Sequence, residues 1–188
     1  MHFSNKNNCR EGIAFAGFIS GCHIKRIHMH KTTKGWAAKG KCTMGWFYGF
    51  KLHLIINDMG EIIQWQLTPG NVDDRAPLID SEFTEKLFGK LFADRGYISQ
   101  DLFEKLFVDD IHMVTKIKKN MKNSLINLHD KILFRKRSVI ETMNDELKNV
   151  CNIEHTRQWS VDNFATNHLA GLIAYNLLPK KPSMNIKS

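Results

Sequence analysis

The chain has 188 residues, 43% of them hydrophobic and 24% charged, and its 27 Lys and Arg outnumber 19 Asp and Glu to give a formal net charge of +8. That length and balance suit one globular domain with a real core and exclude a disordered or fibrous chain. The basic excess favours a polyanionic partner such as nucleic acid, and no apolar run approaches the roughly 20 residues of a membrane helix, so no membrane segment is expected.

Residues 1–12, "MHFSNKNNCREG", are polar and aperiodic and are expected to form a disordered start. From Gly12 to Asn57 there is no Asp or Glu, while Lys25, Arg26, Lys31, Lys34, Lys39, Lys41 and Lys51 all fall in that interval. A stretch with cations and no carboxylates is a candidate DNA-facing surface, with Lys25, Arg26, Lys31 and Lys34 as phosphate contacts. Cys22, His23, His28 and His30 match no common zinc spacing, and Cys9, Cys22, Cys42 and Cys151 form no CxxC pair. With no signal-peptide start, the thiols read as reduced and the protein as cytoplasmic.

"MGWFYGFKLHLIIN" (44–57), the turn "DMG" and "EIIQWQLT" (61–68) predict a β-hairpin. Among its aromatics and the preceding Trp36, both core packing and stacking on an unpaired base are open readings, with core the commoner use of strand aromatics. Helical spacing follows over 76–88, a short buried strand over 90–94, a helix over 99–108 with Ser99 as N-cap, and a strand over 111–117. A basic connector containing Lys116, Lys118, Lys119 and Lys122 leads to a long helix over about 134–150. Residues 160–178 make the closing helix, capped by Ser160 and ended by Pro179, and 179–188 read as a disordered tail. A hairpin, then alternating helix and strand, then helices imply an α/β domain over 13–178: a mixed sheet flanked by helices.

Two carboxylates stand where chemistry is possible. Asp94, in "LFADRGYIS", ends an apolar strand just before a glycine, a place where side chains leave the core for a cleft. Glu141 lies in the long helix, where turns of about 100° per residue put Phe134, Arg137, Glu141 and Lys148 on one stripe. The plain reading of that stripe is a solvated face with weak i,i+4 pairing. A lone glutamate binds Mg²⁺ poorly, so a metal role requires Asp94 and Glu141 to share a cleft.

With these residues the chain resembles the Asp-Asp-Glu transposases of bacterial insertion sequences, most closely the insertion-sequence 982 family. That family's signature, Tyr-x2-Arg-x3-Glu-x6-Lys, is matched by Phe134, Arg137, Glu141 and Lys148, with Phe in place of Tyr. "GWFYGFKLHLIIND.GEI" and "LTPGNVDDR" resemble the family's linking strands, so the likeness runs over about 19–178.

The resemblance implies a ribonuclease-H-like fold and metal-dependent DNA cleavage and strand transfer at terminal repeats and target DNA. It further implies a two-Mg²⁺ site with Asp94 and Glu141 as catalytic ligands, phosphate contacts from Arg137 and Lys148, and possible homo-oligomers. It also implies a first Asp on the first strand. Near that place stand Ile19, Ser20 and Gly21, and no carboxylate lies within reach of a small register shift. Asp58, Asp73 and Asp74 sit in turn sequences and are read as turn residues. Against that family the chain reads as truncated at its N-terminus and defective in catalysis; the alternatives are a catalytically silent DNA-binding remnant and a metal-dependent nuclease of the same fold.

Overall fold

The computed structural model describes residues 9–22, 33–42, 45–93, 95–115, 142–143, 145–151, 153 and 160–181. Within them the chain builds β1 (Cys9–Cys22), β2 (Ala38–Cys42), β3 (Gly45–Asn57), β4 (Ile62–Pro69), the short helices α1 (Ala76–Ile79) and α2 (Ser81–Thr84), β5 (Leu87–Ala93), α3 (Gln100–Val108), β6 (Ile111–Thr115) and α4 (Val161–Leu177). A single 3-10 turn covers Arg95–Tyr97, and a π-helical turn covers Glu146–Val150.

One sheet organises all six strands in the order β2-β3-β1-β5-β6, with β4 also paired to β3. β3 is antiparallel to β1, β2 and β4, whereas β5 runs parallel to β1 and β6 parallel to β5. β3 is long enough to hold two partners end to end on one edge. Gly45–Gly49 pair with β2 and Phe50–Ile56 with β4. Both α/β crossover and hairpin connections are therefore present, as expected of a mixed sheet.

The sheet buries both faces. Phe50, Leu52, Leu54 and Ile56 of β3, with Ile13 of β1 and Phe92 of β5, pack against Met143, Leu147, Ile153 and, from α4, Phe164, Leu172 and Tyr175. On the other face Ala14, Ile55 and Leu91 meet Leu78, Phe83, Leu102 and Leu106 of α1–α3. Alternation along β3 sends every second residue to each layer, and this is why the strand reads as a nearly continuous apolar run.

Four elements differ from the sequence expectation. β1 begins at Cys9, so the unstructured start expected over 1–12 does not extend to it; pairing of Glu11 and Gly12 with Lys90 and Leu91 of β5 orders a polar stretch without periodicity. β2 lacked a strand signal, because Lys39, Gly40 and Lys41 are poor strand formers held only by their partner. The helix expected over 76–88 is two turns broken at Asp80, whose extended backbone (ψ 120°) ends α1 while its side chain accepts from Glu82 N and opens α2. Residues from Leu87 onward then belong to β5.

The closing helix starts as expected, with Ser160 Oγ accepting from Asn163 N at 3.1 Å. Ser99 occupies the N-cap position of α3 but makes no capping bond. Among the described residues, no helix is long and apolar enough to cross a membrane.

Candidate functional site

Asp94, Glu141 and Arg137, and with them Lys25, Arg26 and Lys31, lie outside the described residues, as do the signature's Phe134 and the connector lysines. The elements that flank both carboxylates are described. β5 ends at Ala93, one residue before Asp94. Helical Thr142 and Met143 directly follow Glu141. Phe92, two positions before Asp94, and Met143, two positions after Glu141, belong to the same buried cluster on one face of the sheet. Residues 51 apart in sequence are thereby brought to one layer.

The strand between these flanks and β3 is β1. Its parallel register sets Ile13 beside Phe92. The next position, Ala14, is therefore level with the end of β5 at Ala93, and Phe15 with the position that follows. Ser20 lies further along, paired with Gly49 of β3. Six residues of strand separate Ala14 from Ser20, about 20 Å. Around the end of β5 the central strand thus supplies Ala14, Phe15 and Ala16, none of which is an oxygen donor.

The π turn alters the helical stripe. Cys151 N donates to Glu146 O, an i→i−5 bond that widens the turn by one residue. A common face for Phe134, Arg137, Glu141 and Lys148 requires a uniform α-helical angle, and that phase fails from Glu146 onward. Lys148 is half-buried within this turn. At the far end of the same segment Glu146 and Cys151 lie near Tyr175, whose hydroxyl donates to Gly60 O at 2.8 Å. Gly60 sits in the β3–β4 turn, beside the start of β1.

Two further described carboxylates near the sheet, Asp73 and Asp74, are already engaged. Asp73 accepts from Arg75 N, Nε and Nη2 at 2.7–2.9 Å, and the guanidinium bonds hold its carboxyl well below the usual carboxylate range. Asp74 accepts from Lys51 Nζ at 2.7 Å, and the same ammonium donates to Val72 O. Asp58 stands in the β3–β4 turn. Among the described residues, no three His, Cys, Asp or Glu side chains converge to hold a metal ion.

Next to Lys51 on β3, His53 is 2% exposed. Its Nε2 is 2.8 Å from Thr68 Oγ1, and its Nδ1 has no partner. Desolvation pushes its pKa down to about 4, opposed by the charge of Asp74 and helped by that of Lys51. The ring is thus neutral near pH 7, and it is a buried polar strut that hydropathy did not flag.

The aromatic stretch divides. Phe47 and Tyr48 are buried, whereas Trp36 and Trp46 are 64% and 61% exposed. Lys34 is exposed in the turn at 33–36 that leads into β2.

The sequence profile of the family described as "Transposase DDE domain" matches residues 7–161. The chain belongs to this family. No curated protein matches it at a significant level. Among solved structures, the piggyBac transposase in a synaptic complex with hairpin DNA superposes with a TM-score of 0.54 and 10% identity over 89% of this chain and 46% of that one. The catalytic core domain of BIV integrase gives a TM-score of 0.49 and 9% identity, over 92% of this chain and 90% of that one. The chain thus spans about half the length of the piggyBac transposase. The architecture is a ribonuclease-H-like mixed sheet with flanking helices.

Proposed function

We propose that the chain is the catalytic-fold unit of a bacterial insertion-sequence transposase of the insertion-sequence 982 kind, working on DNA in the cytoplasm. Asp94 and Glu141 are its metal ligands and Arg137 its phosphate contact, with Lys148 assisting as far as the π turn allows. The observation that carries this reading is the shared cluster of Phe92 and Met143. It draws the end of β5 and the start of the 142–150 segment to one face, so that the side chains one residue outside each can meet in one cleft.

Divalent metal chemistry suits the family, because two Mg²⁺ ions can activate the attacking oxygen and stabilise the leaving one. Asp94 after β5 and Glu141 alone do not fit a two-ion site, which needs a ligand shared by both ions. β1 contributes no carboxylate from Gly12 to Cys22. The chain as it stands is therefore a DNA-binding protein with defective strand cleavage. Its carboxylate-free basic stretch supports DNA binding independently of catalysis.

The experiment is Mg²⁺-dependent cleavage and joining of terminal-repeat DNA by the natural chain and by Phe15→Asp and Ser20→Asp variants. The natural chain is expected to show no cleavage above background. Phe15→Asp, one position past the level of the end of β5, is expected to raise cleavage at least tenfold and to lose that gain when Glu141→Ala is added. Cleavage by the natural chain that survives Glu141→Ala would overturn the assignment of both the site and the defect.

A further inference from the structure

We propose that the β2–β3 ribbon is a second DNA contact, a platform on which the exposed indole of Trp46 stacks an unpaired nucleotide while Lys39 and Lys41 hold its phosphates. This rests on the reading of the chain as a DNA-acting protein, but it uses residues remote from the carboxylates.

Cross-strand pairing sets Lys41 opposite Trp46 and Lys39 opposite Tyr48. Lys41 Nζ lies 5.9 Å from the centroid of the Trp46 ring, within cation–π range. Strand alternation puts Lys39 on the same side, roughly 7 Å further along β2. The ribbon therefore presents one indole and two ammoniums in a row. Tyr48, the next residue on that side, is buried, and the core cover ends between it and Trp46. A large apolar ring left 61% exposed beside two cations is poorly suited to protein packing and well suited to a base with its phosphates.

The local field favours an anion. No Asp or Glu occurs between Gly12 and Asn57. The loop that abuts the ribbon carries Asp73 and Asp74, and both are neutralised by Arg75 and Lys51. The ribbon is also closely packed: a Cβ on Gly40 would stand 2.3 Å from Gly70 O and 2.4 Å from the Phe47 ring.

The location separates this surface from the carboxylate cleft. Trp46 and Lys41 lie on the face that carries Phe50 and Ala37, the layer shared by Phe92 and Met143. They stand beyond Cys22, whose partner is Tyr48, whereas the end of β5 is level with Ala14. Eight residues of β1 separate those levels, about 26 Å. The nucleotide taken by Trp46 thus belongs to DNA flanking the one at the carboxylates.

The test is fluorescence anisotropy of the full chain with a labelled blunt duplex and with the same duplex carrying a single-stranded extension, each titrated at several salt concentrations. Trp46→Ala is expected to weaken binding of the extended duplex at least tenfold and the blunt duplex less than twofold, with Trp46→Phe recovering most of the loss. Lys39→Ala with Lys41→Ala is expected to weaken both and to lower the slope of log affinity against log salt by about 2. Equal binding of both DNAs by Trp46→Ala and the natural chain would overturn the platform and leave the transposase reading standing. Absence of binding to any DNA at low salt would overturn both. Conversion of a dimer to a monomer by Trp46→Ala in sedimentation would instead make the ribbon a contact between copies and overturn the platform.

Discussion

His53 and His168 show what single buried groups impose on the molecule. Each ring is 2% exposed and bonded on one nitrogen, His53 to Thr68 and His168 to the Phe164 carbonyl, with the other nitrogen unpartnered. Burial is the leading cause that lowers both pKa values, His53 to about 4. The sign follows directly. Above the unfolded value of about 6.5 both states are neutral, and as pH falls below it the unfolded chain takes up protons that the folded chain refuses. Stability is therefore full above pH 6.5 and lost progressively towards pH 4. For His53 the loss reaches about 3 kcal/mol, from roughly 1.4 kcal/mol per pKa unit. Urea unfolding at pH 7.5 and 4.5 is expected to show it, and His53→Gln to reduce the difference between the two.

Gly40 and Gly70 act at the same scale by leaving space. A Cβ on Gly70 would lie 2.8 Å from Ala38 O and 2.9 Å from the Phe47 ring. Because the opposing atoms include backbone, relief requires the strands to part. Gly40→Ala and Gly70→Ala are each expected to cost about 2–3 kcal/mol, read as a drop in the unfolding midpoint. Tyr175→Phe, which leaves Gly60 O without its buried donor, is expected to cost about 1 kcal/mol.

At the scale of elements, local signals served well where an element carries its own period or cap. The β3–β4 hairpin, α3, β6 and α4 follow from alternation, helical spacing and Ser160. They failed where a neighbour supplies the order. β2 is a strand because β3 offers it an edge, and residues 9–12 are strand because β5 does. The helix over 76–88 failed for a local reason that was visible but outweighed: Asp80 is a capping residue inside an apolar spacing. The π turn at Glu146–Val150 has no sequence signature of its own, and it limits what the spacing from Glu141 to Lys148 can imply. Leu147 is 2% exposed in this turn and seats it against α4. Leu147→Ala is expected to cost 2–5 kcal/mol and to expose the 142–150 segment to proteolysis before the rest of the chain.

At the scale of the molecule, two distant sequence segments become one surface through the parallel pairing of β5 with β1 and the packing of Met143 and Leu147 over it. The net charge of +8 then makes DNA affinity a bulk property as well as a local one. Binding to a blunt duplex is expected to fall steeply between 50 and 200 mM salt, about tenfold or more for each two phosphates neutralised. A salt-independent affinity would show that the basic faces do not track the backbone.

The amino-acid order alone determined the carboxylate-free basic run, the 137–141–148 spacing and the lack of a carboxylate from Gly12 to Cys22, since each is a matter of covalent sequence. It also suggested the mixed sheet, because local periods of two and 3.6 reveal which elements exist. Tertiary structure alone decided that Phe15 rather than Ser20 stands one position past the level of the end of β5, and that Trp46 is exposed while Phe47 and Tyr48 are buried. Register and exposure depend on a partner strand far away in the chain. A local period fixes which face a residue takes, but the strand that covers that face, and where it ends, is settled only when the sheet is assembled.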